Sequence, residues 1–162
     1  MTCPICDGRY GKAGPRVSVP DSLPPVVLVP DVPRDPGWVQ DVWGLPETPV
    51  VVPALATPTW DTPSAADAHT CAKHNILPHL GETRVVAAGA TATSAVLGPG
   101  RHPVGKWLGH VMPVPALPRP STSRRDRLTG AYLARSGLHG SRVDPVYSGA
   151  LEGHQLRGLR QL

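Results

Sequence analysis

Apolar residues in this chain come in short bursts. Val26-Val27-Leu28-Val29, Val50-Val51-Val52, Arg84-Val85-Val86-Ala87-Ala88-Gly89 and His110-Val111-Met112-Pro113-Val114 are brief, rich in β-branched side chains and bounded by Pro or Gly. Runs of this kind predict strands buried on both faces. The segments between them carry helical signals. Pro36 to Trp43 predicts a short helix. Thr62 is expected to cap Pro63 and a helix over Ser64 to Leu77, with Asp67 near its start, until Pro78 interrupts it and Gly81 closes the connection. Thr91 to Leu97 predicts a further short helix, and Ser123 to Arg135 a last one ended by Gly137. Strands alternating with helices predict an α/β fold, a three-layer α/β/α sandwich with a short, mainly parallel four-stranded sheet. Its ligand is expected beyond the C-terminal ends of the strands. That edge comprises Pro30 to Asp35, Ala54 to Trp60 and Ala116 to Ser123.

Length and composition narrow the picture. A chain of 162 residues suits one domain, here placed at residues 1–136, and its 21 prolines and 17 glycines are interleaved with the apolar runs, which predicts many turns around a modest core. Phe is absent, so tryptophan carries most of the aromatic area. The net charge of +4 is concentrated late in the chain: residues 119–162 hold eight Arg against Asp126, Asp144 and Glu152. A basic stretch favours phosphate-bearing partners, or else serves as a solubilising tail. Residues 137–162 have no clear periodicity and read as an irregular basic tail. No apolar stretch approaches the roughly 20 residues that span a bilayer, and Met1-Thr2-Cys3-Pro4 lacks the opening of a secretory signal, so no membrane association and a cytoplasmic location are expected. Cysteines in that compartment are expected to be thiols or metal ligands, not disulfides.

Five motifs occur in a fixed order: Cys3-Pro4-Ile5-Cys6; the strand Val26 to Val29 followed by Pro30-Asp31-Val32-Pro33; Cys71 on a helix; Val85-Val86-Ala87-Ala88-Gly89-Ala90-Thr91-Ala92; and Arg119-Pro120-Ser121. In this order they resemble the uracil-DNA glycosylase superfamily, and most closely its iron–sulfur branch. That branch has a C-x2-C pair, a first strand ending in Gly-Glu-Ala-Pro-Gly, another helical Cys, a V-I-V-A-L-G strand with a small-residue helix, and a closing His-Pro-Ser. The resemblance covers residues 3 to about 135. It implies DNA as partner and hydrolysis of the bond between a damaged or modified base and its sugar. Asp31 aligns with the family's Glu, which implies a role in orienting water, and Arg119 stands in place of the histidine that stabilises the departing base anion. Arg is always charged and differently shaped from His, so that replacement is not conservative. Pro120 and Ser121 would present a rigid turn and a hydroxyl to a phosphate, with Arg124, Arg125 and Arg127 adding sequence-independent affinity.

The chain departs from the family's pattern at two more places. The base-reading Asn after the second strand is missing, with Pro53 near its position, and so is the stacking Phe. Trp38 or Trp60 are the candidates to stack on an extruded base, the alternative being that they supply core area. Turnover itself is therefore open, and the rival to an N-glycosylase is a non-catalytic, metal-stabilised module that binds nucleic acid or protein on the same fold.

The branch uses four cysteines and this chain has three. The position of the fourth falls near Thr57, which cannot replace a thiolate. His74 lies three residues after Cys71 and shares its helix face, so Cys3, Cys6, Cys71 and His74 form a Cys3His set suited to tetrahedral zinc. Zinc is the expected ion, with two alternatives: an iron–sulfur cluster, or no metal, Cys71 being a buried apolar residue, His74 a surface side chain and Cys3-Cys6 a frayed end. Gly98 to Lys106 imitates a phosphate loop in composition but lacks its spacing, because Trp107 follows Lys106.

Overall fold

The structure is a computed structural model, and it describes residues 3–140. The basic tail expected over 137–162 lies, from residue 141 on, outside the described residues.

The fold is α/β with an open, parallel, three-stranded sheet. Strands β1 (Val26–Pro30), β2 (Arg84–Ala88) and β3 (Val111–Val114) stand in the order β1-β2-β3, with Val26 opposite Arg84 and Val85 opposite Val111. The Val50–Val52 run, expected as a fourth strand, makes a single parallel bridge from Val51 to Leu28 on the outer edge of β1. The bridge is closed by two bonds, Leu28 N–H to the Val50 carbonyl at 2.9 Å and Val52 N–H to the Leu28 carbonyl at 2.8 Å. The next bond of the ladder would run from the N–H of residue 30 to the Val52 carbonyl, and Pro30 has no N–H to give.

Five helices connect and follow the strands: α1 (Pro36–Trp43), α2 (Ala65–Asn75), α3 (Leu77–Leu80), α4 (Ala90–Leu97) and α5 (Arg124–His139). Alternate strand residues face opposite ways. Val27, Val29, Val85 and Ala87 join a core with Ala68, Cys71 and Ala72 of α2 and Ala92, Ala95 and Val96 of α4. Leu28, Val86, Ala88, Met112 and Val114 join another with Val39 and Trp43 of α1 and Leu133 and Ala134 of α5.

Two helix ends differ from expectation. Ser64, not Thr62, caps α2, its hydroxyl accepting the Asp67 N–H at 3.2 Å. Pro63 therefore precedes the cap instead of opening the helix. Helix α5 runs through Gly137 to His139 instead of stopping there. A Cβ on Gly137 would stand 2.5 Å from Met112 Cε and 2.7 Å from Val86 Cγ2, so this glycine lets the helix lie close on the sheet. Among the described residues no helix is long and apolar enough to cross a membrane.

Candidate functional site

The three cysteines meet. Cys3 and Cys6 sit in the N-terminal turn and Cys71 points from α2 into the same space, the three Sγ atoms lying within 4.8 Å of one another. Zinc with sulfur ligands at about 2.3 Å needs sulfurs about 3.8 Å apart, which a triad within 4.8 Å accommodates. The turn is pinned to α2 from outside the triad. The Tyr10 hydroxyl donates to Asp67, and Arg9 Nη1 donates to the same carboxylate at 3.1 Å. The Tyr10 hydrogen bond, ahead of the charge of Arg9, holds the Asp67 carboxyl below the ordinary range. A second tie runs along the chain: Ala13 N–H donates to the Pro58 carbonyl at 2.9 Å and Val17 N–H to the Ala56 carbonyl at 2.8 Å.

The donors around the sulfurs suit thiolates. Cys6 N–H donates to Cys3 Sγ at 3.4 Å, Ala56 N–H to Cys71 Sγ at 3.4 Å, and Arg16 Nη1 to Cys6 Sγ at 3.7 Å. Burial pushes the Cys71 thiol up to about 12, while at Cys3 burial is opposed by the N–H groups of Cys6 and Ile5 together with the Cys6 and Cys71 side chains, and the net effect lowers it. These are residues fit to hold a thiophilic ion.

His74 does not join them. It is exposed, and the group that closes around the triad contains the three cysteines without it. At 3.6 residues per turn, position i+3 is about 60° of azimuth from Cys71 and position i+4 only about 40°. Asn75 thus takes the inward place, with Nδ2 3.8, 3.9 and 3.8 Å from Cys3, Cys6 and Cys71 Sγ.

The second cluster lies at the C-terminal edge of the sheet. Asp31 follows β1, and its Oδ1 accepts the Ala92 N–H in the first turn of α4 at 2.8 Å. Gly89, between β2 and α4, makes this approach feasible: its φ is +102°, and a Cβ there would lie 2.2 Å from Asp31 Oδ2. Burial raises the Asp31 carboxyl above its ordinary range, against the opposing N–H groups of Ala92 and Thr91 and the charge of Arg119. The same carboxylate lines a largely enclosed cavity of about 160 Å³ whose other walls include Val32, Pro53, Leu55, Pro58 and Thr59. Clefts for drug-sized ligands run to about 300–1,000 Å³, so this one admits a single ring system. Around the edge stand exposed apolar side chains, Val32, Trp38 and Trp60, the last 75% exposed. Trp38 is held by the α1 cap, Asp35 Oδ2 accepting its N–H at 3.0 Å, and lies under the Arg34 guanidinium at 5.6 Å.

Residues 119–122 form a turn after β3, Arg119 N–H donating to Thr122 Oγ1 at 2.9 Å and Thr122 N–H to the Arg119 carbonyl at 3.0 Å. Pro120 and Ser121 are exposed at its tip. Arg127 is engaged by this turn: its guanidinium donates to the Arg119 carbonyl at 2.7 Å and the Thr122 carbonyl at 3.0 Å. It fixes the turn, while Arg124 and Arg125 stand exposed in the first turn of α5.

Comparison with protein-family models, with curated proteins and with solved structures finds no match for the chain. The site is read from its own geometry. Sequence reasoning missed Asn75 and Arg16, and the signal for the first was the i+4 spacing from Cys71. Nothing in the order of residues points to Arg16, which reaches the triad only because the N-terminal loop folds back along residues 56–58.

Proposed function

We propose that this is a DNA-acting protein that receives a single base at the C-terminal edge of its sheet and hydrolyses the bond joining a damaged or modified base to its sugar. One observation carries the reading: a partly desolvated carboxylate, Asp31, opens on a ring-sized apolar cavity, and the charge of Arg119, which lines a separate cleft with Leu117 and Thr122, acts on that carboxylate. A carboxylate in such a place orients water, and a fixed positive charge offsets the negative charge that develops on a departing base. Trp60, which follows the cavity-lining Thr59, and Trp38, both exposed, offer faces on which an extruded base stacks. The Pro120-Ser121 tip and Arg124 and Arg125 supply phosphate contacts. The Val51 bridge supports reading residues 50–52 as a vestigial fourth strand of an α/β/α sandwich. The cysteine spacing supports zinc over a cluster, and three free thiols support a reducing, cytoplasmic setting. Arg119 favours the second reading, binding without turnover, because a guanidinium at neutral pH has no proton to exchange.

Base release from uracil-, xanthine- and hypoxanthine-containing DNA separates the two. With turnover, Asp31→Asn is expected to cost about 10² to 10³ in rate with DNA binding retained. The rate should rise with pH through the elevated Asp31 value, because the ionised form does the work, and Asp31→Asn should lose that limb. Stability moves oppositely. The folded state holds the Asp31 proton above the ordinary value of 3.8, so the associated stability is present below that value and is lost as pH rises through the folded one. No released base from any of the three substrates would leave the binding reading.

DNA binding itself is expected to depend steeply on salt. Arg124→Ala with Arg125→Ala should reduce the slope of log affinity against log salt by about two, one for each phosphate no longer neutralised. A fluorescence-anisotropy titration across salt concentrations measures this, and an unchanged slope would remove these arginines from the interface.

A further inference from the structure

We infer that Asn75 and Arg16 form a donor cap on the cysteine triad: a thiophilic divalent ion is held by three thiolates, and the Asn75 amide donates to the sulfurs from the side of the fourth corner without ligating. This rests on the reading of the triad as an ion site.

The position comes from three nearly equal distances. Asn75 Nδ2 is 3.8, 3.9 and 3.8 Å from the three sulfurs, which puts it on the axis through the middle of their triangle. In a tetrahedral site with about 2.3 Å to sulfur and about 2.0 Å to a light atom, that light atom stands about 3.5 Å from each sulfur. Nδ2 is farther out than that ligand position, and an ion lying in the plane of three sulfurs at about 2.3 Å from each would be about 3.1 Å from it, beyond bonding reach.

The orientation comes from two hydrogen bonds. Asn75 Oδ1 accepts from Arg16 Nη2 at 2.8 Å, and Nδ2 donates to the Cys71 carbonyl at 3.1 Å. A half-turn of the amide would aim its N–H groups at the guanidinium and its oxygen at a carbonyl, breaking both bonds. Nitrogen therefore faces the sulfurs, and with one of its hydrogens on the Cys71 carbonyl it turns the other toward them and has no lone pair for a metal. It acts as a donor to thiolates, the task that outer groups perform around metal ligands. Arg16 adds charge as well as orientation. Three thiolates on a divalent ion leave one net negative charge, and the guanidinium that fixes Asn75 also reaches Cys6 Sγ at 3.7 Å.

Asn75→Asp tests the corner, because it keeps the shape and exchanges the N–H donor for a carboxylate oxygen while Arg16 retains the other oxygen. Zn²⁺ affinity, measured on the full chain by competition with a chromophoric chelator, is expected to tighten at least about tenfold, with a new light-atom neighbour in the zinc X-ray absorption spectrum. Arg16→Ala changes an exposed side chain, and Asn75→Ala removes the amide. Each should weaken Zn²⁺ about tenfold, the usual cost of losing an outer-shell partner, with the three-sulfur shell intact. Asn75→Asp binding no tighter than wild type would take Asn75 away from the corner, and unchanged affinity in Arg16→Ala would remove the cap. A light-atom neighbour present in wild type and absent in Asn75→Ala would make Asn75 a ligand. Wild-type protein that takes up neither Zn²⁺ nor Cd²⁺ would overturn the ion site itself, an outcome distinct from the other three.

Discussion

Cys71→Ser is expected to abolish stoichiometric zinc binding and to release the N-terminal turn from α2. Cys71 is fully buried, and its sulfur is the one triad member supplied by a regular element, so the two loop cysteines converge on it. Serine keeps an acceptor for the Ala56 N–H but loses thiolate affinity for the ion and places a hydroxyl in an apolar setting, a change that costs about 1–3 kcal/mol by itself. Loss of the ion costs more. Structural zinc in small domains contributes apparent binding free energies of about 10–16 kcal/mol at neutral pH, and here that energy would be coupled to ordering the segment from Cys3 to Tyr10. Elemental analysis of the purified variant should find no zinc, and limited proteolysis should cut before Val17. A variant that keeps both its metal and the wild-type proteolysis pattern would refute the assignment.

Gly89→Ala is expected to destabilise the protein by about 3 kcal/mol, since a positive φ costs an L-residue about 1–2 kcal/mol and the new Cβ must also displace a carboxylate. The collision is with all three terminal atoms of Asp31, at 2.2, 2.4 and 2.6 Å. Either Asp31 leaves the Ala92 N–H or the turn from β2 to α4 opens, and both spoil the cavity wall. For a domain of this size about 1 kcal/mol shifts Tm by about 2–4 °C, so a fall of about 10 °C is expected in a thermal melt. Gly109→Ala is a partial control, since Gly109 has φ +64° with nothing within 4 Å of the added carbon and should show a positive-φ cost without a collision, whereas Gly89, at φ 102° and ψ 172°, lies where essentially only glycine goes. Combining Gly89→Ala with Asp31→Ala should recover the steric part, a coupling that a double-mutant cycle reads directly. Equal melting temperatures for the two single alanine variants would show that the carboxylate yields without cost.

The strands and most helices are legible in the sequence because their signals are local. Val26 to Val29 and Val85 to Ala88 announce burial by composition, and Ser123 with Asp126 announces a helix start. Expectation and structure part where a tertiary neighbour decides the outcome. Val50–Val52 has the right side chains, but Pro30 on the facing strand has no N–H to carry the ladder past one bridge. Gly137 looks like a stop until Met112 and Val86 are seen beneath it. Cys3, Cys6 and Cys71 are legible as a set, and Asp31 as the residue after the first strand. His74 attracts the eye before Asn75 because imidazole is the commoner ligand, although helical geometry favours the later position. The cavity is not legible at all. Ala13, Asp31 and Pro58 share it only because the N-terminal loop pairs with residues 56–58, a pairing that no local pattern announces.

The parallel order β1-β2-β3 has a bearing on synthesis. Among the described residues strand β1 is bonded to β2 alone, apart from the two bonds at Leu28, and Pro30 lies 58 positions before its partner Ala88. At about 5–20 residues per second a ribosome needs about 3–12 s to span that gap, during which the Val26–Val29 run has been made and its ladder has not. A β-branched apolar segment waiting that long is a template for pairing with another nascent chain. Its borders answer the hazard: Pro24 and Pro25 precede it and Pro30 ends it, so an intermolecular ladder would meet missing donors at both ends within a few residues. The prolines that make this chain look turn-rich thus also guard its first strand until the second arrives.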